Sequence, residues 1–180
     1  MRVYGASLET DNGVYLDNFS LRGNPGRKLK VIDTALLRQF NALQDYDLVV
    51  LQFGLNVCDK STTNYDFYEK EMFATVQHLQ TILPKASFLL IGVSDRSTHD
   101  DAGNLVSFAY IDLLTTAQRK VAERTHIAFW DTRKAMGGNG SMAIWAKNGF
   151  ANTDYTHLTW GGGKKMGALL YTALKASIAE

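Results

Sequence analysis

Six residues near the carboxyl end hold the densest acid–base chemistry in the chain: Asn152-Thr153-Asp154-Tyr155-Thr156-His157. An imidazole moves protons near neutral pH better than any other side chain. A carboxylate three residues away is close enough to hold one ring nitrogen and fix the tautomer, which leaves the other nitrogen for a nucleophile or substrate. Gly161-Gly162-Gly163 follows and permits close turns ahead of a helix. A plainer reading fits the same spacing, in which Asp154 caps a turn and His157 is only exposed.

Two further segments offer electrophilic help. Gly54-Leu55-Asn56 directly follows the strongest strand signal of the chain, residues 47–53. A glycine there lets the backbone approach closely, and an asparagine amide donates to an oxyanion without adding charge or a proton. Asn is also a common turn residue, so a turn-only role for Asn56 stands beside the chemical one. The third segment is Asn18-Phe19-Ser20-Leu21-Arg22-Gly23, in which the Gly23 backbone N–H could point into a site or merely close a connection.

These segments need a scaffold, and the hydrophobic periodicity supplies one. It alternates between two and three-to-four residues, the pattern of an α/β fold. Residues 2–7, 13–19, 47–53, 87–93 and 126–130 read as strands, and residues 29–44, 64–83, 108–124, 141–147 and 164–178 as helices. Asn64 is the expected N-cap of the second helix, ahead of Phe67, Met72, Val76, Leu79 and Ile82, and Pro84 stops it. The order implies a mainly parallel sheet with helices on both faces, with sites just past the carboxyl ends of the strands. Loops 22–28, 54–59 and 94–104 occupy that rim, and loop 151–163 is expected to reach it.

Composition narrows the function classes. The 180 residues make one domain, 46% hydrophobic and 21% charged, long enough to bury a core without disulfides. A net charge of +1, from 19 basic and 18 acidic residues, argues against nucleic acid as a partner. The single cysteine, Cys58, excludes an intramolecular disulfide and a cysteine-rich zinc cluster. No apolar run approaches the roughly 20 residues that span a bilayer. Residues 1–11 lack the basic-then-apolar pattern of a leader, which leaves either a cytoplasmic protein or a leader beyond this chain.

Taken in order, Gly23 at the fifth position after Asn18, Gly54-x-Asn56 and Asp154-x-x-His157 resemble the last three motifs of the SGNH (GDSL-like) hydrolases. The segments YGASLE, AFWDTRKAMGGNGSM and DYTHLTWGGGKK are similar to those of bacterial members related to peptidoglycan O-acetylesterases. The likeness covers nearly the whole chain. It implies a flavodoxin-like three-layer α/β/α sandwich, no metal and no cofactor. It also implies hydrolysis of an acyl ester, on a small molecule or a glycan, by a Ser–His–Asp mechanism. His157 would be the catalytic base and acid, Asp154 its partner, and Gly23 and Asn56 the oxyanion hole. An extracytoplasmic location follows from the family likeness alone.

The family's nucleophile segment, Gly-Asp-Ser, is missing. The nearest match is Gly5-Ala6-Ser7, and only residues 8–13 separate Ser7 from the strand expected at 13–19. A parallel crossover needs about a dozen residues or more, so Ser7 is poorly placed to be presented by a helix. In longer relatives the Gly-Asp-Ser part lies upstream of an inserted β domain whose end YGASLE resembles. The expectation is therefore the carboxyl-terminal part of a longer architecture, a split reading frame or a diverged member. The attacking serine would come from outside the chain. The rival is an SGNH-like module that lost catalysis and binds a glycan or a protein. Without the first strand the sheet would keep an unpaired edge, which residues 2–7 or a second copy in a homodimer would fill.

Four further sets of residues carry lesser expectations. Asp95-Arg96-Ser97 with His99 and Asp100 is either a substrate-contacting rim segment or a solvated charged loop. His78 and His126 are expected in structural roles, and Cys58 as a buried thiol. Tyr65, Phe67 and Tyr68 are expected to divide between core and helix surface.

Overall fold

The structure is a computed structural model that describes residues 8, 10, 12–20, 23–59 and 62–178. Among the described residues its central sheet has three parallel strands in the order β1 (Leu48–Gln52), β2 (Ser87–Ile91) and β5 (Ala128–Trp130). Val49, Val50 and Leu51 of β1 pair in register with Phe88, Leu89 and Leu90 of β2. Leu89, Leu90 and Ile91 pair in turn with Ala128, Phe129 and Trp130. β2 is buried from Phe88 onward, which is why its sequence is continuously apolar rather than alternating.

Side chains alternate across the sheet. Leu51, Phe88 and Leu90 join one core with α2 (Asp66–Ile82) and α3 (Ile111–Thr125). α2 contributes Tyr68, Met72, Val76, Leu79 and Ile82, an apolar stripe at helical spacing. α3 contributes Ile111, Leu114, Ala117, Val121 and Ala122. A second core forms where Met136 of α4 (Thr132–Met136), Met142 and Trp145 of α5 (Ser141–Lys147), Ala151 and Met166 of α6 (Trp160–Ile178) meet. Trp130 of β5 packs against it. A mainly parallel sheet flanked by helices is the α/β/α architecture implied by the sequence.

Several element boundaries differ from the sequence reading. Residues 14–20 are irregular, with Val14 99% and Leu16 89% exposed, so the expected strand 13–19 is not one. Among the described residues its alternation has no neighbouring strand to bury against, and an isolated apolar/polar pattern carries no stability of its own. With no strand at 13–19, the six residues after Ser7 do not lead into a parallel crossover. Ser7 itself and the expected strand 2–7 lie outside the described residues. The expected helix 29–44 divides into a 3-10 segment Arg27–Val31 and α1 (Thr34–Gln44), capped by Asp33, which accepts from Leu36 N at 2.7 Å. α2 begins two residues after Asn64, whose Oδ1 accepts only a long 3.4 Å contact from Asp66 N. Phe67 faces solvent at 61%, beneath the Arg27 guanidinium, whereas Tyr65 and Tyr68 are buried.

Loop 94–104 contains the first strand of an antiparallel hairpin, β3 (Ser97–His99) with β4 (Leu105–Ser107). His126 caps α3 in a left-handed conformation (φ 55°) instead of opening β5. α6 starts at Trp160, so the glycine triplet lies in its first turn. A Cβ on Gly162 would fall 1.8 Å from the Phe150 carbonyl oxygen, so this position admits no side chain. Thr159 Oγ1 accepts from Gly162 N at 3.1 Å and caps that turn.

Candidate active site

Four rim loops come together at the carboxyl side of the sheet. β1 ends at Gln52, and after Phe53 the chain turns at Gly54 (φ 121°) into a 3-10 turn, Leu55–Val57, that carries Asn56. A Cβ on Gly54 would meet Gln118 Nε2 at 2.8 Å and the Tyr68 hydroxyl at 3.1 Å, so both the backbone angle and the space require glycine. Asn56 is exposed, and its Nδ2 donates to the Gly23 carbonyl oxygen at 3.1 Å. The two residues expected to form an oxyanion hole are therefore neighbours, although they are 33 positions apart in sequence.

The second pair is Asp154 with His157. Residues 151–159 form a closed loop. Ala151 bridges to Leu158, Asn152 N donates to the His157 carbonyl at 2.8 Å, and Tyr155 N to the Asn152 carbonyl at 3.0 Å. Closing it puts Tyr155 in the left-handed region at φ 52°, uncommon for a non-glycine residue. Within the loop Asp154 Oδ1 accepts from Thr156 N at 2.9 Å and His157 N at 3.0 Å, while Oδ2 meets His157 Nδ1 at 2.7 Å. Asp154 thus both ties a turn and contacts the imidazole. The His157 backbone N–H, its ring and the Thr156 N–H hold the Asp154 carboxyl down at about 2. An anion at Nδ1 favours the tautomer with its proton there, leaving Nε2 as the acceptor. The His157 side chain is 75% exposed and that of Asp154 49%.

Among the described residues no hydrogen bond joins His157 to Asn56 or Gly23. The two pairs are linked through residues 95–97. Arg96 Nη1 donates to the Cys58 carbonyl at 2.7 Å, just past the Asn56 turn. Ser97 N donates to the Tyr155 carbonyl at 3.1 Å, inside the His157 loop. Asp95 is fully buried and Ser97 is 5% exposed. The solvated-loop reading fails for these two and fits exposed Asp100, whereas exposed His99 ends β3 with its ring edge-on to Tyr155 at 6.2 Å. Asp95 accepts from Ser107 Oγ, from Arg133 Nε at 3.3 Å and from Met142 N at 3.0 Å. Nothing in the local sequence signals that Arg133, 38 residues on, satisfies this carboxylate.

The remaining candidates separate cleanly. Cys58 is buried and burial pushes its thiol up, the opposite of a poised nucleophile. His78 lies on α2, away from both pairs. A groove of about 470 Å³ beside the His157 loop is lined by Leu105, Ala143, Ile144, Lys147, Thr153 and Tyr155. No described cluster of three or more His, Cys, Asp or Glu could hold a metal ion, and no described helix is long and apolar enough to cross a membrane.

Solved structures of known proteins resemble this fold. A solved structure described as a peptidoglycan O-acetylesterase is 26% identical, with a TM-score of 0.71 over 81% of this chain and 41% of that one. The chain therefore spans less than half the length of that protein. An acetyl xylan esterase structure is 24% identical, with a TM-score of 0.55 over 82% of this chain and 76% of that one. An acetylxylan esterase from Geobacillus stearothermophilus is 20% identical, with a TM-score of 0.53 over 82% and 66%. These last two likenesses are of fold. No match was found among curated proteins. The model of the GDSL-like lipase/acylhydrolase family matches residues 2–163, and a match over that length makes this chain a member of that family, the SGNH hydrolases.

Proposed function

We propose that this chain supplies the acid–base pair and the oxyanion donors of a serine esterase acting on acyl esters, with O-acetyl groups of a glycan as the substrate class. The observation that carries the reading is the 2.7 Å contact between Asp154 Oδ2 and His157 Nδ1. With Nδ1–H held by an ionised carboxylate, Nε2 takes the proton of a serine hydroxyl as its oxygen attacks the acyl carbon. It then returns that proton to the departing alcohol. Asn56 Nδ2 and the Gly23 N–H stabilise the oxyanion of the tetrahedral intermediate. Water releases the acyl group by the same route. Family membership supports the ester chemistry, and likeness to a peptidoglycan O-acetylesterase supports the acetylated glycan.

The chain contains no Gly-Asp-Ser, so the attacking serine is assigned outside these 180 residues, with Ser7 the alternative within them. That same absence favours the rival, a non-catalytic glycan- or protein-binding module. The test is acetate release from O-acetylated peptidoglycan by the protein encoded at the complete locus. Loss of about 10²–10⁴-fold in rate in His157→Ala supports the reading. Equal rates in the two proteins refute the role of His157, and glycan binding without turnover in either selects the rival.

A further inference from the structure

The tripeptide Asp95-Arg96-Ser97 grips two loops that have no other described link, and it does so with consecutive residues pointing different ways. We propose that it is a strap fixing the turn that carries Asn56 relative to the loop that carries His157, which makes these three the positioning residues of the site. The proposal rests on the reading above that both loops serve one substrate.

Both gripped groups are carbonyls of irregular backbone. Cys58 closes a 3-10 turn, and Tyr155 sits at the left-handed bend of loop 151–159. Carbonyls of this kind lack the ladder partners that strands and helices provide, so a donor from elsewhere decides where they sit. Arg96 Nη1 supplies a charged donor to the Cys58 carbonyl at 2.7 Å. Ser97 N supplies the donor to the Tyr155 carbonyl at 3.1 Å.

The strap is held rigid on both sides. The Arg96 guanidinium lies over the Phe108 ring at 4.9 Å, and Phe108 N donates back to the Arg96 carbonyl at 2.7 Å. Asp95 is anchored in the interior by Ser107 Oγ, Arg133 Nε and Met142 N. Ser107 Oγ also accepts from Gly140 N at 2.7 Å, and Arg133 Nη1 pairs with Asp112. The tripeptide begins four residues past the end of β2, and on the way Val93 N is held by the buried Gln118 Oε1 at 2.9 Å. Movement of either loop therefore has to displace Arg96 or Ser97 against the buried hub.

Cys58 makes the idea testable without any ester. It is the only cysteine of the chain, 3% exposed, and its own carbonyl is the gripped group. Its rate of labelling by Ellman's reagent under native conditions reports opening of the Asn56 turn, and the His157 ring signals in NMR report the other loop. The full chain is compared with Arg96→Met and Arg96→Lys, and with Thr125→Ala as an off-strap control that destabilises the end of α3. The expected result is Cys58 labelling at least tenfold faster in Arg96→Met, together with shifted or broadened His157 signals. Arg96→Lys should be intermediate in both and decides the matter if Arg96→Met does not fold. Thr125→Ala should leave both readouts at their wild-type values. Labelling no faster than in Thr125→Ala, or faster labelling with the His157 signals unmoved, overturns the strap. Neither readout involves catalysis, so failure here is distinct from failure of the esterase reading.

Discussion

Asn56 Nδ2 donates to the Gly23 carbonyl at 3.1 Å, joining two loops through a side chain at the solvent surface. An exposed neutral hydrogen bond contributes about 1 kcal/mol or less. Asn56→Ala should therefore lower the unfolding free energy by no more than that, measured by denaturant titration. If the amide also donates to the oxyanion, the same substitution should cut ester turnover by the complete-locus protein roughly 10²–10³-fold. A stability loss matching the activity loss would assign Asn56 to structure alone.

The Asp154 carboxyl, held at about 2 against an ordinary 3.8, gives a signed pH dependence. Because its folded value lies below its unfolded one, the carboxylate stabilises the fold fully above about pH 4. That stabilisation is lost as pH falls through about 2. His157→Ala removes the ring contact but keeps the Thr156 and residue-157 N–H donors. Its Asp154 carboxyl should titrate higher than in the wild type yet still below 3.8, as read by ¹³C NMR. An unchanged midpoint would show that the ring does not bear on the carboxylate.

Gly162 and Gly163 are adjacent but should respond with opposite signs. A Cβ at Gly162 would strike the Phe150 backbone oxygen at 1.8 Å, and a backbone atom cannot rotate aside. Gly162→Ala should destabilise by about 1–3 kcal/mol or more. A Cβ at Gly163 would meet nothing within 4 Å. Gly163→Ala should stabilise α6 by up to about 1 kcal/mol. Thermal melts of the two variants provide the comparison.

Asp95 satisfies several buried donors at once. Asp95→Ala leaves Arg133, 10% exposed, paired through Nη1 with Asp112 alone, removes the acceptor at Nε, and strands Met142 N and Ser107. A loss of about 3–5 kcal/mol is expected by denaturant titration. A loss under 1 kcal/mol would mean that water replaces the carboxylate readily.

β1 has a single neighbour among the described strands, and Leu48 and Val50 on it are 43% and 42% exposed. An apolar edge strand without charge or proline is prone to pair with another copy. Sedimentation should show concentration-dependent association that Val50→Lys weakens with little change in melting temperature. Identical sedimentation of the two proteins would exclude this edge as the contact.

The described elements divide by how far their partners lie along the chain. β1, β2, α2, α3 and α5 were legible because apolar spacing within a single segment decides which face it buries. Asp154 with His157 was legible for the same reason, since three residues in a closed turn put both side chains within reach. The glycine triplet misled because its role is close approach to Phe150, which a loop composition does not distinguish from flexibility.

Sequence by itself therefore determined the α/β class, the family resemblance and the local pairing of Asp154 with His157, all properties of short segments. Tertiary structure alone decided that Val14 and Leu16 stay exposed, that Asn56 reaches Gly23, and that Asp95 is buried against Arg133. The same holds for the two grips of residues 95–97 on the Cys58 and Tyr155 carbonyls. The physical reason is common to all of these: each depends on a group supplied by a distant segment. Whether a polar side chain is solvated or paired is settled only when the intervening chain closes.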